Sequence, residues 1–164
     1  KKEVLQKVDM LYSMWKKGSL GGEVMPEDAN PHLGKSSVEN YLYFTLPMAL
    51  NYQRNSYKLW ESALNTYNDK ETNFVFNPKI CINKTFEEVQ YALVKYKIAL
   101  QKQKQTEIWL SLCKTFVELY DGDIRKLFDS LDNDVNKIKN FIQKENKKKF
   151  PYLSGTKYVT IGYM

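Results

Sequence analysis

Residues 134–164, DVNKIKNFIQKENKKKFPYLSGTKYVTIGYM, decide how this chain is read. Val135, Ile138, Phe141 and Ile142 recur at helical spacing, which predicts an amphipathic helix. A basic run over 144–149 follows, and Phe150-Pro151 then breaks the pattern, because proline lacks an N–H and disfavours helix in the residue before it. A short loop ends in Gly155-Thr156-Lys157, and an apolar stretch suited to a second helix comes after it. A hairpin that ends in glycine leaves backbone N–H groups free at the second helix's N-terminus. Those groups and the helix dipole can hold a phosphate without side chains. Ser154, Gly155 and Thr156 would lie against that phosphate, and Lys147, Lys148 and Lys149 would add charge. Such a grip on a nucleic-acid backbone is independent of base sequence.

Upstream of this unit the pattern is helical throughout. Val4, Val8, Leu11 and Trp15 fall on one face, with Gly18 as a stop. Residues 18–37 hold four Gly and two Pro and read as a connector wrapped over the surface. Ser36 with Glu39 reads as a capping box opening a segment that Pro47 breaks. The helical pattern resumes through Trp60, Ala63, Leu64 and Tyr67. Residues 68–84 are irregular, with a turn at Asn77-Pro78. Thr85 and Glu88 form a second capping box. The helix behind it carries Phe86, Val89, Leu93, Tyr96 and Leu100 on one face, and its Lys- and Gln-rich opposite face is solvated. Thr106 caps the next helix, which buries Trp109, Leu112, Cys113, Phe116 and Tyr120. Asp121-Gly122-Asp123 ends that helix and caps another through Leu131. Trp15, Trp60 and Trp109 sit on apolar stripes and are expected in the core.

Composition agrees with one ordinary globular domain. The 164 residues are 43% hydrophobic and 27% charged, with only 7 Gly and 5 Pro, which favours long regular elements over a turn-rich all-β fold. The formal net charge of +6 favours a polyanionic partner. Cys81 and Cys113 lie far apart with no close Cys or His neighbour, so no metal or cluster spacing exists. The single histidine, His32, follows a proline in a Gly-rich loop and reads as solvated. So do Glu23, Glu27 and Asp28, whose spacing has no ligand logic. No metal, cofactor or membrane partner is expected, and the expected location is the cytoplasm, in association with the nucleoid. The expected fold is all-α, a helical bundle with a C-terminal helix-hairpin-helix element. Residues 1–164 form a single domain: a helix and wrapping loop over 1–37, then a core over 38–164. The apolar pattern still running at Met164 suggests a fragment of a longer chain.

On Gly155-Thr156-Lys157 and the apolar stretch after it, the chain resembles the HhH-GPD superfamily of DNA glycosylases, in its oxidised-purine glycosylase/lyase branch. Residues 44–64, FTLPMALNYQRNSYKLWESAL, are similar to that superfamily's early helix pair with its polar turn. Helices over 85–101, 106–120, 123–131 and 134–146 would match the next part of its fold. The resemblance implies double-stranded, damaged DNA as partner and base excision as the activity. It makes Lys157 the Schiff-base nucleophile, an amine whose pKa burial and a helix N-terminus would lower. It makes Gln53 the polar residue that fills the space left by an extruded base, with Asn51, Arg54 and Asn55 on the same turn contacting the strand. Two departures stand out. Leu153 occupies the place of the family hairpin's first glycine, and the family's essential aspartate would fall past Met164. The chain also lacks the four-cysteine iron–sulfur cluster of some members. A non-enzymatic nucleic-acid-binding module and a helical protein-interaction domain are the alternatives.

Overall fold

The computed structural model describes residues 2–20 and 25–153, and among them every regular element is helical. In chain order these are α1 (Lys2–Lys16), α2 (Val38–Thr45), α3 (Ser56–Asn68), α4 (Pro78–Cys81), α5 (Phe86–Lys95), α6 (Lys102–Tyr120), α7 (Arg125–Ser130) and α8 (Val135–Asn140). Short 3-10 turns lie at Pro26–Asp28, Pro47–Leu50 and Asn73–Phe76, and a π turn at Phe141–Glu145 continues α8. The described residues therefore adopt the expected all-α class.

The core is built around aromatic rings from four elements. Tyr43 of α2 lies 5.8 Å from Trp60 of α3, 5.6 Å from Tyr67 and 5.4 Å from Phe76, measured between ring centroids. Phe76 meets Trp109 of α6 edge-on at 5.6 Å and 81°. Such T-shaped contacts add to the area these rings remove from water. The indole N–H of Trp109 donates to the Val75 carbonyl at 2.9 Å, so this buried ring keeps its polar handle satisfied. Two hydrogen bonds tie the 25–37 segment to the core helices. The Tyr43 hydroxyl donates to the Ala29 carbonyl at 2.9 Å, and the Arg125 guanidinium donates to the Ser36 carbonyl at 2.8 Å.

Helix ends follow local chemistry, with some corrections. The Thr85–Glu88 capping box is present: Glu88 N–H donates to Thr85 Oγ1 (3.2 Å) and Thr85 N–H to Glu88 Oε2 (2.8 Å). Thr85→Ala is expected to destabilise the fold by about 1 kcal/mol in urea unfolding, because the Glu88 N–H loses its acceptor. The cap of α2 is Ser37, not Ser36; its hydroxyl accepts from Asn40 N–H at 3.1 Å. Thr106 caps nothing. It is buried inside α6, four residues past the helix start, and its hydroxyl donates to the Lys102 carbonyl at 2.7 Å. Gln105 reaches back to accept from the Leu100 and Gln101 N–H groups just ahead of α6, whose N-cap, Gln101, makes no side-chain capping bond. The helix expected through Leu100 stops at Lys95, and Leu100 is 54% exposed. At the end of α6, Asp121 and Gly122 both take positive φ (54° and 75°). Gly122 N–H donates to the Phe116 carbonyl at 2.8 Å.

The largest correction concerns α1. Trp15, expected in the core with Trp60 and Trp109, is 65% exposed, while the other two are fully buried. Val4, Val8 and Leu11 on the same stripe are also at least half exposed.

Candidate nucleic-acid interface

The candidate residues fall in two segments about a hundred positions apart, 51–55 and 147–157. Of the second, Lys147, Lys148 and Lys149 are described; Ser154, Gly155, Thr156 and Lys157 lie outside the described residues.

The first segment is a turn between α2 and α3. Pro47 to Leu50 are all buried, which fixes the entry to the turn. Three of its four polar candidates serve the fold. Asn51 is 7% exposed and its Oδ1 accepts from the Ser56 hydroxyl at 3.1 Å. Asn55 caps α3 by accepting from Lys58 N–H at 3.2 Å. Arg54 clamps the α5–α6 connector: its guanidinium donates to the Ile98 carbonyl at 2.6 Å and the Lys97 carbonyl at 3.1 Å. Burial holds its pKa below the usual arginine value. Gln53 differs. It sits exposed at the apex with φ of 52°, in the left-handed region that side-chain-bearing residues seldom occupy.

The second segment begins where the π turn ends. Phe150 is fully buried between Phe116 (6.3 Å) and Phe141 (6.2 Å), and Leu153 is 3% exposed. Thr115 of α6 donates to the Lys149 carbonyl at 2.8 Å. These anchors leave the side chains of Lys147, Lys148 and Lys149 exposed. Leu153, noted above for occupying a glycine position, is a core residue, and the left-handed backbone falls one residue earlier, at Tyr152 (φ 64°).

The two segments meet. Tyr52 stacks on Tyr152 with centroids 4.9 Å apart and planes 25° from parallel. The Lys104 ammonium, from the first turn of α6, lies 5.2 Å from the Tyr152 ring and 5.8 Å from the Tyr52 ring. Its interaction with the Tyr152 hydroxyl raises its pKa above the ordinary lysine value, so it stays a cation at neutral pH. The Tyr52 hydroxyl oxygen is buried and has no hydrogen-bond partner among the described residues. An open groove of about 330 Å³ runs beside the turn, lined in part by Arg54, Asn55, Lys58, Asn65, Tyr96 and Lys97.

Sequence reasoning missed Tyr52, Tyr152 and Lys104 as a unit. Each is a common residue type, and their partnership is a long-range contact that no local spacing encodes. The remaining chemistry-bearing residues stand apart from this face. His32 is exposed, and its backbone N–H donates to Asn30 Oδ1 at 2.8 Å. Cys81 and Cys113 are both buried thiols; burial, then contact with Cys81, pushes Cys113 well up. Among the described residues no group of three or more His, Cys, Asp or Glu side chains could hold a metal ion. None of the described helices is long and apolar enough to cross a membrane. No protein-family model, curated protein or solved structure matches the chain.

Proposed function

We propose that this protein binds duplex DNA through the face where the 51–55 turn meets the 147–153 segment. In this reading the chain through 157 is a helix-hairpin-helix element, and Lys157 is the nucleophile of a base-excision activity. The observation that supports it is the Tyr52–Tyr152 stack beside Lys104, which joins the two segments that the family resemblance assigns to DNA contact. In this reading exposed Lys147, Lys148 and Lys149 supply phosphate contacts and exposed Gln53 supplies a polar wedge. The net charge of +6 has the right sign for this partner.

The chemistry would run through the Lys157 amine. It attacks the sugar C1′, the base leaves with the bonding electron pair and takes up a proton, and opening of the sugar ring gives an imine. Borohydride reduces that imine to a stable amine, so DNA containing an abasic site should become covalently attached to the protein. Lys157→Gln should abolish the adduct while leaving DNA binding in place. An adduct that survives Lys157→Gln would sink the lysine assignment. Absence of salt-sensitive DNA binding by the intact chain would sink the whole reading.

A further inference from the structure

We propose that α1 is a membrane-surface helix that lays its apolar stripe onto an anionic phospholipid bilayer. On a helix of 3.6 residues per turn, Val4, Leu5, Val8, Leu11, Tyr12 and Trp15 form one stripe roughly 120° wide. All six are at least half exposed. The helix's ion pair (Lys7–Glu3, 3.3 Å), ring stack (Tyr12–Trp15, 5.9 Å) and cation–π contact (Lys16 over Tyr12, 4.9 Å) are all internal to it. A stripe of this size left in water marks a surface that something covers.

The charges around the stripe select the occupant. Lys7 lies beyond one edge of it and Lys16 beyond the other; Asp9 sits about 20° past Lys16 on that same margin, Glu3 is paired with Lys7 farther round, and α1 carries three lysines against these two acids. Lysines at both margins can rest their methylene stems along the apolar boundary and raise their ammonium groups to lipid phosphates. Tyr12 and Trp15 are the ring types favoured at the headgroup level. A second copy of the chain fits less well. Fifteen residues supply only two heptads, too short a seam for a stable helix pair.

The fluorescence of the intact chain tests this directly. The chain has three tryptophans, and Trp60 and Trp109 are fully buried, so a vesicle-induced emission shift reports Trp15. Vesicles of phosphatidylcholine with phosphatidylglycerol should give a blue shift and co-sedimentation. Pure phosphatidylcholine vesicles should bind on the order of tenfold more weakly, and added salt should weaken the mixed-vesicle binding. The double variant V8E/L11E should lose the shift with its circular dichroism otherwise preserved, because both side chains are at least half exposed. The variant K147E/K148E/K149E should keep it. The proposal is overturned if mixed vesicles give no shift, or if V8E/L11E binds them as well as the parent. It is equally overturned if the triple lysine variant alone abolishes binding. A concentration-dependent dimer that V8E/L11E dissolves, without vesicle binding by the parent, would assign the stripe to a second copy instead.

Discussion

Reversing Lys147, Lys148 and Lys149 to Glu is expected to weaken duplex DNA binding by on the order of a hundredfold at moderate salt. Each lysine that neutralises a phosphate releases condensed counterions, contributing about 0.9 to the slope of log affinity against log salt. Loss of three contacts should therefore flatten that slope by roughly three, a signature that misfolding does not imitate. The weakening should be equal on unrelated sequences, since a backbone contact carries no base information. All three side chains are exposed, so the thermal transition should barely move. The backbone around them is held separately, by the Thr115–Lys149 hydrogen bond and the burial of Phe150. A fluorescence anisotropy titration at several salt concentrations measures both quantities. An unchanged slope would remove this face from the proposed interface.

Trp109→Ala is expected to cost about 3–5 kcal/mol, a large share of the stability of an ordinary domain. The ring is fully buried against Phe76, and its loss leaves a cavity at the junction of α6 with the 73–76 turn. It also strips the Val75 carbonyl of its donor. The milder Trp109→Phe separates the two effects: it keeps most of the ring and loses the hydrogen bond, at about 1–3 kcal/mol. Trp60→Phe offers the contrast. That indole is equally buried, but its N–H has no partner among the described residues, so the substitution removes an unsatisfied donor. It should cost less than Trp109→Phe. Urea denaturation of the three variants gives the order, and equal costs for the two Phe variants would contradict the hydrogen-bond argument.

Local chemistry made much of this fold legible in the sequence. The Thr85–Glu88 box was readable because both partners reach each other within a single turn. The same logic slipped by one residue at Ser36 and Ser37, where two adjacent serines offer the same hydroxyl and only the backbone chooses. Trp15 shows a different limit. Helical spacing identifies an apolar stripe, but it does not say whether the rest of the chain covers it. The site was legible as two segments and not as one place. Arg54 and Asn55 drew attention as polar turn residues, yet a turn's own carbonyls and N–H groups need partners, and these side chains supply them. Tyr52, Lys104 and Tyr152 come together only through the packing of α6 beneath both segments, which depends on the whole core.

The π turn at Phe141–Glu145 acts as a phase shifter for everything beyond it. Its Asn146 N–H reaches back five residues to the Phe141 carbonyl, at 2.9 Å, so the turn holds one residue more than an α-helix would. One extra residue rotates the following chain by about 100° relative to α8. Past Glu145 the chain leaves the helix, and there Lys147, Lys148 and Lys149 are exposed while Phe150 is buried. The charged outer side and the aromatic inner side of this segment thus part company directly where that five-residue turn ends.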